Sequence, residues 1–207
     1  YKDEGIHSDN YYSGEYKVYM GKEAVEYITK DLSEYGITKE ELAIQCETKM
    51  WQKEKEKAID IFTSEKYLEK TGKDQLEEIL NYFETSFDTT QDFYRFIYYF
   101  DSYIKRQNIE SSNLQNYENT IEEITQIAFQ AIEKGFSDGS ISYPNENLQT
   151  LTLTVMHSFF SLAQKLSLSG GMLSQDISNP PKNQLEILKN LILSSLSKWK
   201  QEEIWNL

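Results

Sequence analysis

The amino-acid sequence predicts an all-α protein, and three observations carry that reading. Its 207 residues hold only three prolines and nine glycines, too few punctuating residues for a many-stranded sandwich. Apolar residues recur at i, i+3, i+4 and i+7 through most of the chain, the spacing of one helix face. No repeat of fixed period and no low-complexity tract interrupts that pattern. The chain is 39% hydrophobic and 14% aromatic, enough for one substantial core with a roomy or aromatic-lined interior.

Residues 1–21 show no helical stripe; their Tyr-rich "EYKVYM" reads as a short strand or an ordered arm. Residues 22–35 place Ala24, Val25, Ile28 and Leu32 on one helical face, and Gly36 reads as the stop. Thr38 followed by Glu41 has the form of a capping box. It opens a long charged helix over 39–69, with Leu42, Met50, Ile59 and Phe62 as its apolar positions. A Thr-Gly break precedes a helix over 71–87 bearing Leu76, Ile79, Leu80 and Phe83. The helix over 89–107 is the most aromatic, with Phe93, Phe96, Ile97, Phe100 and Ile104 in helical phase. The next, over 116–135, carries Ile121, Ile124, Ala128 and either Ala131 or Ile132.

The stretch 131–144, "AIEKGFSDGSISYP", then breaks the pattern. Gly135 and Gly139 supply backbone freedom where a helix must end, Pro144 sets up the next helix, and Asn145 is its candidate cap. Asp138 and the serines have no evident partner set, so the stretch reads as structural. A helix over 145–168 is apolar around much of its circumference, as one buried on two sides would be. Gly170–Gly171 and Pro180–Pro181 bound a loop. The last helix, over 183–205, presents Leu185, Leu188, Ile192 and Trp199, with Ser194, Ser195 and Ser197 small enough for close helix approach.

Charge and chemistry narrow the function. A net charge of −13 and only two arginines, Arg95 and Arg106, oppose a nucleic-acid footprint on this chain as it stands. A single cysteine, Cys46, excludes an internal disulfide and a zinc-knuckle spacing, and points to a reducing, cytoplasmic compartment. No run approaches the roughly 18 apolar residues of a membrane span, and no signal-peptide pattern opens the chain. Two histidines, His7 and His157, and no HExxH, CxxC, GxSxG or Walker pattern leave no catalytic or metal set. The Glu pairs at 40–41, 77–78, 122–123 and 202–203 sit on helices where neighbours diverge by about 100°. No enzyme activity, metal or cofactor is therefore expected, and Cys46 is read as inert. The aromatic run over 93–104 keeps two readings: core packing for any one residue, or an aromatic-walled ligand pocket for the group. His157, flanked by Met156, Phe159 and Phe160, is either a hydrogen-bonded core residue or the polar group of that pocket.

A helix, then "AIEKGFSDGSI", then a long apolar helix containing "TVMHSFFSLAQKLSLSGGM", resembles the C-terminal half of TetR-family transcriptional regulators. "DFYRFIYYFDSYI" resembles that family's mid-domain helix, and "LEEIL" the one before it. The resemblance covers roughly residues 39–200. "YGITKEEL" resembles the close of the family's DNA-binding domain at Tyr35, Lys39, Glu40, Glu41 and Leu42, but Gly36 replaces the usual Phe. Upstream, no Gly-Val-Ser recognition turn is readable, and residues 1–45 hold five Lys, no Arg and ten acidic residues.

The resemblance implies a TetR-like helical bundle whose last two long helices form a four-helix dimer interface. Residues 1–38 would be a diverged or truncated remnant in place of a helix-turn-helix, and 39–207 an effector-binding and dimerisation domain. The implied partners are a second copy, an apolar or aromatic small molecule, and operator DNA only if a helix-turn-helix is present; no membrane is expected. Helical phase within that frame puts Phe83, Phe93, Phe96, Phe100, Tyr103, Phe129, His157 and Phe160 around the effector. It puts Leu151, Val155, Phe159, Leu162, Leu185, Leu188, Ile192 and Trp199 on the dimer surface. The alternative is a helical dimeric adaptor with no small-molecule site, distinguished by the lack of a cavity of roughly 300 Å³ among the central helices.

Overall fold

A computed structural model describes residues 36, 38–107, 109, 114–144, 147–169 and 178–197. The arm at 1–21, the helix expected over 22–35, Asn145, Gly170–Gly171 and Trp199 lie outside the described residues. Within them the protein is all-α, in six helices and no strand: α1 Lys39–Phe62, α2 Glu65–Leu68, α3 Gly72–Gln107, α4 Gln115–Asp138, α5 Leu148–Ser169 and α6 Pro181–Ser195.

The capping box forms: the Glu41 amide donates to Thr38 Oγ1 at 3.1 Å, and the Thr38 amide donates to Glu41 Oε2 at 2.8 Å. The long helix expected over 39–69 stops earlier, at Phe62, because Ser64 takes an extended backbone and caps α2 by accepting from the Tyr67 amide. The two helices expected over 71–87 and 89–107 are one, α3. The threonines at their expected junction do not divert the backbone. Thr85 donates to the Asn81 carbonyl at 2.7 Å, and Thr89 and Thr90 each donate to the Ser86 carbonyl at 2.9 Å. Each hydroxyl thus bonds back along the helix and leaves its ladder intact.

α3 is the hub of the bundle and packs on α1, α4, α5 and α6. Its Leu76, Leu80 and Phe87 are fully buried with Ile132 of α4, Phe159 of α5 and Leu185 of α6. Each such side chain stabilises the fold by roughly 1.5–3 kcal/mol relative to exposure. Arg95 of α3 donates through Nε to the Ser167 carbonyl at 2.8 Å, tying down the end of α5. Lys189 of α6 donates to Glu84 Oε2 at 2.5 Å and Asn81 Oδ1 at 2.6 Å, joining α6 to α3.

The stretch 131–144 has partners that its sequence does not disclose. α4 runs through Gly135 to Asp138, and Gly139 ends it in the left-handed region at φ 74°. Gly135 serves close packing, since a Cβ there would lie 2.5 Å from Ile141 Cδ1. Asp138 Oδ2 accepts the Gly72 amide at 2.8 Å and Ser140 Oγ accepts the Lys73 amide at 3.0 Å. Asp138 and Ser140 therefore cap the N-terminus of α3 from another part of the chain, satisfying donors that have no backbone acceptor within the helix. The Ser140 hydroxyl, then the Gly72 amide, hold the Asp138 carboxyl below its ordinary range. The Ser142 amide donates to the Leu196 carbonyl at 2.9 Å and ties the same stretch to the end of α6.

Candidate functional site

The inward stripe of α1 is Ile44, Glu47, Thr48, Trp51, Glu54, Ala58 and Phe62, all buried. This phase differs from the one expected: Ile59 is 39% exposed, and Leu42 and Met50 are half-buried. Spacings of three, four and seven place two carboxylates, Glu47 and Glu54, on either side of the Trp51 indole. Glu54 reaches Lys57 at 2.5 Å. Glu47 has 0% exposure, and neither of its oxygens has a hydrogen-bond partner. The Trp51 Nε1–H, also enclosed, has none either.

The surroundings of Glu47 come from three helices. Asp101 of α3 acts on it with a charge of the same sign, and Tyr117 of α4 feels both carboxylates. Phe100 lies 5.1 Å from the Tyr117 ring and 6.5 Å from Phe96, centroid to centroid. Burial pushes the Glu47 carboxyl up to about 8, and Asp101 adds to the rise; the nearby indole N–H opposes it. Glu47 is thus neutral at pH 7 in this arrangement. Burial likewise pushes the Cys46 thiol up to about 11, which keeps it a thiol and a poor nucleophile near neutral pH.

On the far side of Trp51, α1 and α4 leave a crevice of about 20 Å³, floored by α3 and α5. Glu54, Ala58, Tyr82, Phe83, Ile124 and Met156 are among its walls. It has room for about one water molecule. An ion pair between Lys55 and Glu123 crosses the seam between α1 and α4 at the surface.

The expected effector residues divide among four places. Phe83, Phe93 and Phe160 gather around Trp51 or one another, at centroid distances of 4.8 Å for Trp51–Phe93, 5.5 Å for Trp51–Phe160 and 4.9 Å for Phe83–Phe160. Phe96 and Phe100 belong to a second cluster with Ile44 and Cys46. Tyr103 is half-buried near the start of α1, its hydroxyl donating to Glu40 Oε1 at 2.8 Å, and Phe129 is half-buried on α4. His157 stands on the exposed side of α5, away from the aromatic interior in which Phe160 packs.

The expected dimer residues face inward. Leu151, Val155, Phe159, Leu185 and Ile192 are buried in the chain's own core, and Leu162 and Leu188 pack against it half-buried. The largest apolar side chains of α5 and α6 are taken up by α3, and a different face is left outside. On α5 that face is Thr150, Leu153, Thr154, His157, Ser158 and Ser161; on α6 it includes Ile187, 61% exposed, and Leu191, 63% exposed.

Glu47, Asp101 and Tyr117 were not among the residues that helical phase singled out. The usable signal was the spacing of Ile44, Trp51 and Ala58, which fixes the inward stripe and places Glu47 in it. An acid whose folded pKa exceeds its unfolded value favours folding fully below the unfolded pKa, and that advantage is lost as pH rises toward the folded one. For Glu47 the window runs from 4.5 to about 8. Stability is expected to fall by a few kcal/mol across it, at about 1.4 kcal/mol per pH unit. Glu47→Leu should flatten the melting temperature between pH 5 and pH 8; a variant that keeps the original slope would place the titration elsewhere.

Among the described residues no group of three or more His, Cys, Asp or Glu is placed to hold a metal ion, and no helix is long and apolar enough to cross a membrane. The chain matches no protein-family model, no curated protein and no solved structure.

Proposed function

We propose that this chain is a TetR-like regulatory domain. It forms a homodimer through the outward faces of α5 and α6 and responds to a small molecule at the crossing of α1, α3 and α4. The observation that carries this reading is the charge pattern of α5. In a chain that is 27% charged, its 22 residues include one formally charged side chain, Lys165, although a whole face is exposed. Thr150, Thr154, Ser158 and Ser161 are small enough for a second helix to approach closely, and Leu153, Ile187 and Leu191 supply apolar contact. Two copies, each of net charge −13, repel each other least where the facing surfaces are nearly uncharged. A two-fold arrangement would bring the same face of each copy together as a four-helix interface.

Occupancy of the inner site would act by favouring one packing of α1 against α4 over another, which requires unequal affinity for the two. Operator DNA is a partner only where a helix-turn-helix is joined to this domain. The test is light scattering across micromolar concentrations, where a dimer is expected. Ile187→Glu and Leu191→Glu should each weaken it by about a hundredfold, because each would bury an unpaired charge. A monomer throughout that range overturns the reading. The adaptor alternative draws support from the filled interior: about 20 Å³ is far below the roughly 300 Å³ of a preformed small-molecule site. It keeps the dimer and predicts that no small molecule changes its melting temperature.

A further inference from the structure

We propose that His157 makes the α5–α6 interface acid-labile: the neutral imidazoles of two copies are buried against each other, and their protonation drives the copies apart. This rests on the reading of that face as the dimer surface and names its regulation.

The argument starts from how the face is made. Thr150, Leu153, Thr154, His157, Ser158 and Ser161 are exposed on the outward side of α5, and of these only His157 can take up a charge. The hydroxyls beside it make no demand on a partner. Thr154 donates to the Thr150 carbonyl at 2.8 Å and Ser158 donates to the Thr154 carbonyl at 2.7 Å, each within its own helix. Those donors stay satisfied when the face is covered. His157 makes no hydrogen bond or ion pair among the described residues, so its ring is available to a second copy.

Position decides what the ring meets. His157 lies near the middle of α5, which runs Leu148–Ser169, with Thr150 and Leu153 on one side of it and Ser161 on the other. A two-fold axis that pairs this face with itself sets residues near its centre against their own copies. Two neutral imidazoles can then share an N–H···N hydrogen bond, since each ring offers one donor and one acceptor. An imidazolium offers two donors and no acceptor. Two protonated rings lose that bond and confront each other as like charges in a place that water has left.

The surrounding charges do not reverse this. α3 and α4 meet α5 on its buried side, through Leu151, Val155, Met156 and Phe159. The exposed charged groups of the two interface helices are Lys165 on α5 and Lys182 and Glu186 on α6. The two lysines oppose a further positive charge. Glu186 would attract one, but an exposed pair shifts an equilibrium by at most about fivefold. Protonation also lowers the net charge of −13, which favours association. That effect is spread over the surface and screened beyond about 8 Å at physiological ionic strength, whereas the two rings are in contact.

The dimer holds the neutral form, so association is at full strength above the histidine range and is lost as pH falls through it. Glu47 acts on folding in the opposite sense, because its burial favours the protonated acid and acidification strengthens the fold. Helix content should therefore be the same at both ends of the range.

The experiment is sedimentation of the full chain across micromolar concentrations at pH 8 and pH 5.5, with circular dichroism on the same samples. The dimer dissociation constant is expected to rise about a hundredfold on acidification, about tenfold for each ring, with uptake of about two protons per dimer. His157→Gln should be dimeric at both pH values, and His157→Lys weakened at both. His7→Gln, which removes the chain's other histidine, should keep the full acid response. Should His157→Gln not dimerise at pH 8, the proton uptake and acid response of His7→Gln still decide. A dimer equally tight at pH 5.5, or an acid response that persists in His157→Gln or is lost in His7→Gln, overturns the switch and leaves the dimer standing. A monomer at pH 8 overturns both.

Discussion

Replacing Gly72 by alanine is expected to lower the melting temperature by roughly 10 °C, about 3 kcal/mol at 2–4 °C per kcal/mol for a chain of this size. A Cβ at Gly72 would lie 1.9 Å from the Gly135 amide nitrogen, 2.4 Å from the Ala131 carbonyl oxygen and 2.4 Å from Gly135 Cα. All three are backbone atoms of α4, so no rotamer change relieves the clash, and the start of α3 would have to move off α4. That displacement would also lengthen the bonds by which Asp138 and Ser140 cap α3. The better helix propensity of alanine offsets about 1 kcal/mol at most. Gly139→Ala is the control. Its Cβ would meet nothing within 4 Å, and the cost there is the left-handed backbone at φ 74°, about 1–2 kcal/mol. Thermal melts of both variants check the argument, and a Gly72→Ala protein that melts within about 2 °C of the original contradicts the observed crossing.

That crossing shows where the sequence stopped being legible. The all-helical content followed from spacing alone, as did the Thr38 cap and the helical phase of Leu76, Ile79, Leu80 and Phe83. These depend on neighbours within a turn or two. Gly135 and Gly139 were visible as punctuation, but Gly135 lies inside α4 for the sake of Ile141, and Asp138 serves a helix more than sixty residues earlier. No local pattern encodes a cap supplied from that distance. The aromatic run over 93–104 was rightly seen as crowded, yet spacing could not say that Phe93 would meet Trp51 while Phe96 and Phe100 joined Ile44 and Cys46. Glu47 was hidden by its company: in a helix rich in Glu and Lys, one buried carboxylate looks like all the solvated ones. Spacing alone also did not show which face of α5 and α6 the chain's own core would take. Large apolar residues at helical spacing serve a partner subunit or the chain's own core equally well, and here Leu151, Val155, Phe159, Leu185 and Ile192 are buried in the core.

α6 illustrates this most sharply, because its inward stripe of Leu185, Ile192 and Leu193 includes Lys189 while its outward face carries Ile187 and Leu191. The second large effect is expected here. Lys189 and Glu84 retain side-chain exposures of only 11% and 9%, so removing either charge strands the other in a poorly solvated place. Lys189→Met and Glu84→Leu should each lower the stability measured by urea unfolding by about 3–5 kcal/mol. The double variant should recover most of that loss, since two apolar groups leave no charge behind, and the difference measures the coupling. Single variants costing under about 1 kcal/mol would mean that the pair is solvated; a double variant as unstable as the sum of the singles would mean that it is uncoupled. The pair also fixes which way α6 faces. Lys189 and Asn81 hold the helix against α3 in the one rotation that leaves Ile187 and Leu191 outside. If those two residues form the dimer contact, Lys189→Met should weaken dimerisation as well as folding, and the double variant should restore both together.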